Sequence, residues 1–564
     1  MARYGWSNEF EFLFHCMIPS VGINGLWRYP YALYTGGGGS FWCAYLIVAA
    51  TIGVPLLYLK LARGQFASKA NVHLFSQFGY GYTGVAASET YTAFCAVIYY
   101  SVILAYILIY IGNSLTHWTL PWSTCDAEDV QCVPAKSIVY TNPYKNYSVS
   151  TEIFFKKMVL PDSIFPRWEL CACLLVSACL INFLANSHVR VGKLVHVAIL
   201  FPMICKLVLC GLAWSLRGGS EGINYFLSHD LSNLKQVDVW ANAVAQCFFS
   251  LSFGFGTVSA CAARSSFHFN AKRVAVMVVA LDCLFCALVG AAVFGILGHL
   301  SYALKVNISD LFEGRDINLA FVLYPIAINQ FHYFIPILSL ILFTTFYTLC
   351  LLCVIKLNNV LVMFVSYWYP DLLHWRVVLM CTVGCFLLQL LFITSVGTHL
   401  IELIDKDCMI VITLFTNICE LLALTYGYGI ESVCLDLQYM QKTKVGVYWR
   451  MMWAIAIPII LILVFYYLSF AKHSLVCDHS APYHGVRYFI VFIGIMQIPS
   501  WTAYYCYKSK HMTSVQMVHV VLRGDNFGPD DPELYEAWTI FKDEELRRGE
   551  SQGFTRFIKF LFGK

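Results

Sequence analysis

The sequence predicts an all-α polytopic membrane protein with twelve transmembrane helices. Of its 564 residues, 59% are hydrophobic, 16% are aromatic and only 12% are charged, whereas a soluble domain carries roughly 25% charged residues. One span needs about 20 apolar residues, and the chain contains twelve apolar runs separated by polar breaks. The net charge of +4 gives no case for a nucleic-acid partner, so the predicted surroundings are a lipid bilayer.

The twelve runs are distributed over the first 507 residues. They cover residues 10–34, 40–60, 88–115, 168–186, 192–214, 240–264, 273–300, 334–356, 376–397, 408–430, 447–470 and 486–507. Lysine and arginine follow the second, fourth, sixth and tenth runs, at Lys60, Arg63, Lys69, Arg190, Lys193, Arg264, Lys272, Arg273, Lys442, Lys444 and Arg450. Because cytoplasmic loops are rich in these residues, both termini are predicted to be cytoplasmic. Residues 508–564 then form a polar cytoplasmic tail with a helical stretch near 530–548.

The long segment at 116–166, between the third and fourth runs, is extracellular under this topology. Cys125 and Cys132 flank an acidic stretch there, and a disulfide between them is predicted because extracellular thiols are oxidised. Asn146 and Asn307 each begin a glycosylation sequon, and both fall on the same side, which supports the orientation.

Glycine-rich clusters interrupt the first and the sixth run. They are Ser-Val-Gly-Ile-Asn-Gly at 20–25 and Ser-Leu-Ser-Phe-Gly-Phe-Gly at 250–256. An interrupted helix frees backbone groups, which a membrane tolerates only inside protein or around a wet cavity. Packing glycines would explain one cluster. Two clusters at matching positions favour two inverted five-helix repeats, at about 10–214 and 240–430, with extra helices at 447–507. This arrangement of a domain at 1–507 indicates a transporter with a central substrate site.

Seven motifs in colinear order resemble the sodium:neurotransmitter symporter family, over roughly residues 3–507. They are Trp-Arg-Tyr-Pro-Tyr at 27–31, four glycines at 36–39, Gly-Val-Pro-Leu at 53–56 with Gly-Gln at 64–65, Tyr-Tyr at 99–100, Leu-Pro-Trp at 120–122, Trp-Glu-Leu at 168–170 and Gln-Cys-Phe-Phe-Ser-Leu at 246–251. The resemblance implies the leucine-transporter fold, in which the substrate lies between the interrupted parts of spans one and six.

The resemblance also implies which residues contact the substrate. Where this chain has Gly22, monoamine carriers of the family have an aspartate, because their substrates lack a carboxylate. Glycine there argues for an amino acid or a related zwitterion. Tyr100 would donate a hydrogen bond to the substrate carboxylate, and Phe255 would cap the pocket. The predicted set is Val21, Gly22, Ile23, Asn24, Tyr100, Phe249, Ser250, Ser252 and Phe255.

Two gates are predicted as well. A guanidinium inside a membrane helix costs roughly 3 kcal/mol or more unless it is paired or hydrated. Asp405 matches the acidic partner of the family, so Arg28 and Asp405 are expected to form the extracellular gate. The alternative is a snorkelling arginine and a solvated aspartate. Arg3 and Trp6 match the cytoplasmic gate, but its usual acidic partner aligns near Tyr367, so this gate is altered.

The ion positions depart furthest from the family pattern. Gly25 stands where the family has an asparagine, and Asn24 either substitutes for it or crowds the pocket. In span seven an asparagine is replaced by Asp282, whose charge would do what chloride does for sodium. Otherwise Asp282 is protonated or paired with a basic residue. Sodium is therefore in doubt as the coupling ion, and chloride dependence is left open. The predicted ion-binding residues are Ser20, Asn24, Tyr58, Lys206, Gln246, Ser250 and Asp282.

The second sodium site of the family lacks its side-chain oxygens here. Span eight offers either Leu351 and Leu352 or Leu352 and Cys353, and neither pair supplies oxygen for a hard cation. Lys206 in span five is costly in a membrane without a partner, and a lysine of this helix replaces sodium in proton-coupled amino-acid carriers of the same fold. We therefore predict that Lys206 occupies the second cation position and that transport is sodium-independent or proton-coupled. The alternatives are a pair with Asp282 and a water pocket.

Span two carries a further unexpected charge. Lys60 stands where the family has a glutamate. It either pairs with Glu420, the acid of span ten, or extends its amine to the cytoplasmic interface.

The predicted function is secondary active transport of an amino acid or an amino-acid-like solute across the plasma membrane, by alternating access. No cofactor and no covalent chemistry are implied. The altered ion positions are also compatible with a transport-inactive family member that acts as a receptor, scaffold or partner subunit. An enzyme is less favoured, since the sequence has no His-Glu-x-x-His. The substrate's identity and the oligomeric state are left open.

Overall fold

The computed structural model describes residues 5–6, 8–22, 24–69, 71–125, 132–135, 148–159, 165–186, 191–227, 231–305, 307–308, 319–331, 334–471, 481–522 and 527–549. Within these ranges, ten helical segments are long and apolar enough to cross a membrane. They are Gly39–Ala67, Tyr80–Thr116, Trp168–Asn186, His196–Ser215, Ala271–Ala303, Ile335–Trp368, His374–Phe392, Ser395–Gln441, Val447–Ala471 and Tyr483–Lys508. The chain is an all-α polytopic membrane protein. The strands in the described ranges are β1 (Cys132–Val133) and β2 (Ser148–Val149), which form a short parallel pair.

The described ranges contain a succession of long and short helices. In chain order they are α1 (Glu9–Val21), α2 (Asn24–Thr35), α3 (Gly39–Val48), α4 (Val54–Ala67), α5 (Asn71–Phe78), α6 (Thr83–Thr116), α7 (Ser150–Phe154), α8 (Trp168–Asn186), α9 (Val191–Ser215), α10 (Gly219–Leu227), α11 (Val237–Ser250), α12 (Thr257–Ala262), α13 (Ala271–Leu304), α14 (Leu319–Asn329), α15 (Ile335–Trp368), α16 (His374–Phe392), α17 (Ser395–Leu403), α18 (Met409–Leu422), α19 (Ile430–Gln441), α20 (Val447–Met451), α21 (Ile457–Tyr466), α22 (Ala481–Lys508), α23 (Ser514–Leu522) and α24 (Pro532–Gly549). One turn of π-helix joins α3 to α4, and similar turns join α17 to α18 and α18 to α19.

The first and sixth predicted spans are each made of two short helices. α1 and α2 have 13 and 12 residues, and α11 and α12 have 14 and 6. None of them reaches the roughly 20 residues that cross a bilayer, which is why ten long segments are found where twelve spans are predicted. In the second break, Gly254 and Gly256 have φ angles of 79° and 73°, a conformation that glycine adopts at no steric cost and that ends a helix.

Some helices extend beyond the approximate spans predicted, most of all the tenth, where Ser395–Gln441 contains the predicted 408–430. The eighth span continues beyond residue 356 to Trp368, and the third begins near Tyr80 instead of residue 88. Asn358 in the eighth helix and Ser88 in the third are only 1% and 0% exposed. Their polar groups face the protein interior, so they do not mark the membrane boundary.

The interrupted helices lie at the centre of the bundle. α1 packs against α9, α13 and α15, while α11 packs against α2 and α3, and α12 against α4. This packing brings the first break next to α9 and α13, and the second break reaches α13 through the contact of Ser250 with Asp282. Those two helices carry Lys206 and Asp282, the two charged residues predicted at the ion positions.

A buried charge network connects spans two, three and ten. Lys60 forms an ion pair with Glu420, and its Nζ also lies 3.4 Å from Glu89 Oε1. Arg63 Nη1 lies 2.7 Å from Glu420 Oε1. The Lys60 side chain is 2% exposed, so the prediction of a pair with Glu420 is confirmed and the interfacial alternative is wrong.

Replacing Lys60 by methionine is expected to destabilise the folded protein by about 3–5 kcal/mol, because it removes the cation beside buried Glu89 and one of the two cations beside buried Glu420. The matched control is Lys69→Met, since Lys69 forms a half-exposed pair with Asp530 at 3.1 Å and should contribute less than about 1 kcal/mol. Thermal unfolding of the purified protein in detergent measures both. Equal midpoints for the two variants would contradict the prediction.

The loop and the tail match two further predictions. The Cys125–Cys132 disulfide is present, with a sulfur–sulfur distance of 2.01 Å. Asn307 is exposed, whereas Asn146 lies outside the described residues; glycosylation of both stays a prediction. The predicted helical stretch of the tail corresponds to α24.

The described part of the tail folds back onto the bundle. Trp538 Nε1 donates to Asp436 Oδ1 at 3.0 Å, and Lys542 Nζ donates to Tyr428 OH at 2.6 Å. Asp436 is only 4% exposed. α24 therefore covers α19 and the turn before it, a contact that the polar composition of the tail did not predict.

Candidate substrate and ion site

The break between α1 and α2 leaves no space for a side chain at Gly22. A Cβ built there would lie 2.3 Å from Cys353 Sγ and 3.0 Å from the carbonyl oxygen of Pro19. The backbone passes directly against α15 at this point, so a side chain at residue 22 would require Cys353 or α1 to shift. Ile23 and the side chain of Asn24, both predicted to bind substrate, lie outside the described residues.

Arg28 and Asp405 are in direct contact above this break. Arg28 Nη1 donates to Asp405 Oδ1 at 2.8 Å and to the Asp405 carbonyl oxygen at 2.6 Å. The guanidinium carbon lies 3.6 Å from the centroid of the Phe249 ring, and the two charged side chains are 14% and 9% exposed. The alternative of a snorkelling arginine and a solvated aspartate is therefore wrong. The role of the pair as a gate stays a prediction.

Replacing Arg28 by lysine is expected to lower substrate uptake at least about tenfold, since an ammonium neither reproduces the planar contact with Phe249 nor both hydrogen bonds to Asp405. The measurement is initial uptake, normalised to the amount of protein at the cell surface. Arg376→Lys is the matched control, because Arg376 is exposed on α16. Uptake by Arg28→Lys within about twofold of the unaltered protein would show that gating does not need the planar guanidinium and its two hydrogen bonds to Asp405.

Aromatic side chains fill the space between the two breaks. The rings of Phe249 and Phe255 have centroids 5.9 Å apart, and Tyr100 packs on Tyr99 at 4.3 Å. None of the described side chains predicted to line the pocket is more than 7% exposed; these are Val21, Tyr100, Phe249, Ser250, Ser252 and Phe255. They are gathered in one region that solvent does not reach in this structure.

Asp282 lies at the bottom of this region and holds two short hydrogen bonds. Ser250 Oγ donates to one carboxylate oxygen and Tyr45 OH donates to the other. Asp282 is 0% exposed. Gln246, one turn before Ser250, is 3% exposed, and its amide nitrogen has no hydrogen-bond partner among the described residues. Donors aimed at both oxygens stabilise a negatively charged carboxylate, whereas complete burial opposes the charge.

Tyr58, which was predicted in the same group, lies elsewhere. Its OH donates to Gln441 Oε1 at 2.9 Å, and its ring packs on Trp449 with centroids 5.0 Å apart. Tyr45 takes the position beside Asp282. The two tyrosines are about 20 Å apart along span two, at 1.5 Å per residue. The signal that sequence reasoning missed is the position of Tyr45 in the sequence, shortly after the glycine run at 36–39. This position places Tyr45 near the start of span two, whereas Tyr58 lies near its other end.

Lys206 reaches the last turn of α1. Its Nζ donates to the Val21 carbonyl oxygen at 3.0 Å, and the residue is 2% exposed. From α15, Cys353 Sγ lies 3.7 Å from the carbonyl oxygen of Ile18. The alignment that places Leu352 and Cys353 at the second cation position is thus the one that the packing favours. Carbonyls at a helix C-terminus carry partial negative charge, so a cation is stabilised here.

A direct ion pair of Lys206 with Asp282 is not found among the described contacts of either residue. The Asp282 oxygens accept from Ser250 and Tyr45 instead, and Lys206 Nζ lies 5.5 Å from the centroid of the Phe285 ring. The two opposite charges still act on each other through space. The fold therefore holds one cation at the end of α1 and one acid beside the end of α11.

At the other end of α1, Trp6 closes the gap between α1 and α12. Trp6 Nε1 donates to the Cys261 carbonyl oxygen at 3.0 Å, and its ring stacks on His15 at 3.8 Å. Lys356 Nζ lies 3.0 Å from His15 Nδ1. Sequence reasoning missed His15 and Lys356, because neither matches a motif and both look like residues near a membrane interface.

The remaining predicted residues have less direct roles in the geometry. Arg3 lies outside the described residues. Tyr367, which stands at the place of the usual acidic partner, packs against His73 with ring centroids 4.6 Å apart. Ser20 Oγ donates to the Met17 carbonyl oxygen at 3.0 Å, within its own helix.

Comparison with known proteins agrees with this geometry. The model of the sodium:neurotransmitter symporter family matches residues 3–517. A protein named sodium-dependent nutrient amino acid transporter 1 from Drosophila melanogaster is 30% identical over 600 residues, which cover 100% of this chain and 93% of that protein. Proteins of the same name from Drosophila willistoni and Drosophila virilis are each 31% identical, covering 98% and 96% of this chain and 91% and 90% of their own lengths. The chain therefore belongs to the sodium:neurotransmitter symporter family.

Proposed function

We propose that the protein carries amino acids across the plasma membrane by sodium-coupled or otherwise ion-coupled symport, with alternating access to a central site. The members of the family are transporters and not enzymes, and the similar Drosophila proteins are named as amino acid transporters. The single observation that carries the substrate class is the packing at Gly22. An acid there would clash with Cys353, which fits a substrate that brings its own carboxylate. The transport-inactive alternative is not favoured by the family match.

In this proposal the chain has twelve spans, with α1 and α2 forming the first and α11 and α12 the sixth. Two inverted repeats of five spans at about 10–214 and 240–430 would precede the extra helices, and both termini would be cytoplasmic. The free amide groups at the start of α2 suit the substrate carboxylate, since a helix N-terminus attracts anions. Tyr100 would add a hydrogen bond, and the Arg28–Asp405 pair would close the extracellular side.

The ion coupling follows from the charges around the breaks. Lys206 donates to the Val21 carbonyl at the C-terminal end of α1, where a helix terminus would otherwise hold a metal cation. We propose that this ammonium replaces the second sodium ion. Sodium then has only the first position, beside Asp282, and at most one sodium ion moves with each substrate. Sodium-independent transport, which the sequence predicts, corresponds to a ratio of zero sodium ions for each substrate.

Asp282 supplies a fixed negative charge next to that first position. A carboxylate is a hard ligand suited to sodium or to a proton, and it makes an added chloride redundant. Uptake by the unaltered protein is therefore expected to stay the same when gluconate replaces chloride. Asp282→Asn should lower uptake in gluconate at least about tenfold and regain it partly with chloride, since chloride restores the missing negative charge. Strict chloride dependence of the unaltered protein would contradict this role.

The function is tested by uptake of a pooled set of radiolabelled amino acids into cells that express the chain. Saturable uptake above that of cells without the chain is expected, with competition by unlabelled amino acids and none by dopamine. Competition by dopamine alone, or no uptake with the protein present at the surface, would contradict the proposal.

A further inference from the structure

Two thiols face each other at the end of the site opposite Arg28 and Asp405. Cys16 lies on α1 and Cys261 on α12, and their sulfur atoms are 3.6 Å apart. Neither is disulfide-bonded in this structure. The first of these helices precedes the first break and the second follows the second break.

The pair lies within the contact that keeps this end closed. Trp6 donates to the carbonyl oxygen of Cys261 at 3.0 Å and to that of Arg264 at 3.0 Å. In a carrier that rocks around a fixed site, α1 and α12 must separate here for the substrate to leave. A covalent bond between Cys16 and Cys261 would prevent that separation.

We propose that Cys16 and Cys261 are a site of reversible disulfide formation, which locks this end of the transporter closed when a hydroperoxide is present. This inference goes beyond the proposed transport function. The thiol sulfur atoms, 3.6 Å apart, need to approach by about 1.5 Å to reach the sulfur–sulfur distance of a disulfide.

The chemistry proceeds in two balanced steps. The Cys16 thiolate attacks one oxygen of hydrogen peroxide, the oxygen–oxygen bond breaks, hydroxide leaves, and Cys16 becomes a sulfenic acid. The Cys261 thiolate then attacks the Cys16 sulfur, the sulfur–sulfur bond forms and a second hydroxide leaves. With the two protons lost from the thiols, the products are one disulfide and two waters. The two sulfurs are oxidised by two electrons, which reduce the peroxide.

The surroundings favour this order of events. Cys16 is partly exposed whereas Cys261 is 6% exposed, so peroxide reaches Cys16 first and Cys261 is placed to resolve it. The cation Lys356 acts on both thiols and Arg264 acts on Cys261 as well, and a neighbouring cation stabilises a thiolate.

The test uses the full chain in membranes treated with hydrogen peroxide. Free thiols are then alkylated, and peptides that contain Cys16 and Cys261 are analysed by mass spectrometry without reductant. We expect a linked peptide, and uptake that falls at least about tenfold because the helices cannot separate. Dithiothreitol should remove the link and restore uptake.

Serine variants of each thiol provide the controls. Cys16→Ser and Cys261→Ser should keep uptake in peroxide, while Cys419→Ser and Cys506→Ser, which alter partly exposed cysteines elsewhere, should stay sensitive. Absence of the linked peptide at a peroxide concentration that modifies other cysteines would overturn the proposal, and so would full inactivation of Cys16→Ser. The linked peptide is measured without any substrate, so this outcome is independent of whether the chain transports amino acids.

Discussion

Replacing Lys206 by methionine is expected to lower amino-acid uptake about 100-fold. Methionine keeps the length and apolar stem of the side chain but removes the ammonium that donates to Val21. A hydrogen bond from a charged group contributes roughly 1.5–3 kcal/mol, and about 1.4 kcal/mol corresponds to a factor of ten. The measurement is initial uptake at saturating substrate, normalised to surface protein.

The control for this variant is Lys272→Met, which removes an exposed lysine at the start of α13 and should leave uptake unchanged. A second variant asks whether the position holds a cation. Lys206→Ala combined with Cys353→Ser opens the space at the end of α1 and places a hydroxyl near the Ile18 carbonyl. Uptake by this double variant should rise with sodium relative to choline. Uptake by Lys206→Met within about twofold of the unaltered protein would remove the lysine from the coupling mechanism.

Adding a single methyl group at Gly22 is expected to have an effect at least as large. In Gly22→Ala the new Cβ would lie 2.3 Å from Cys353 Sγ and 3.0 Å from the Pro19 carbonyl, so α1 must move away from α15. Overpacking of this kind costs typically about 1–3 kcal/mol, and it falls here on the backbone that holds substrate and cation. We expect uptake to fall about 100-fold, measured in the same assay.

Gly25→Ala is the matched control, since the nearest atom to its added Cβ is 4.0 Å away. Removing the clashing sulfur should recover part of the activity, so Gly22→Ala with Cys353→Ala should exceed Gly22→Ala alone. Equal uptake by Gly22→Ala and Gly25→Ala would show that the close approach to α15 is not needed.

The main parts of this fold and site can be read from the sequence because their signals are local and strong. Apolar runs mark the long helices, glycine clusters mark both breaks, and a buried arginine needs an acid, which Asp405 supplies. Lys206 is identified by the same cost of an isolated charge in a membrane. Its contact with Val21 then follows from the neighbouring helix end.

The parts that sequence reasoning missed depend on three-dimensional packing. Tyr45 and Tyr58 both belong to span two, and only the depth of each in the bundle decides which one reaches Asp282. Asn358 looks like the end of a span yet is buried. The docking of α24 through Trp538 joins residues about 100 positions apart in the chain, which no local pattern indicates.

If Lys206 takes the place of the second sodium ion, the number of sodium ions transported with each amino acid must be smaller. That ratio can be measured. Purified protein in liposomes is supplied with radioactive sodium and a labelled amino acid that it transports, and the initial fluxes of both are measured in the same vesicles. We expect no more than one sodium ion for each amino acid, with the ratio unchanged as external sodium rises. Two sodium ions for each amino acid would contradict it.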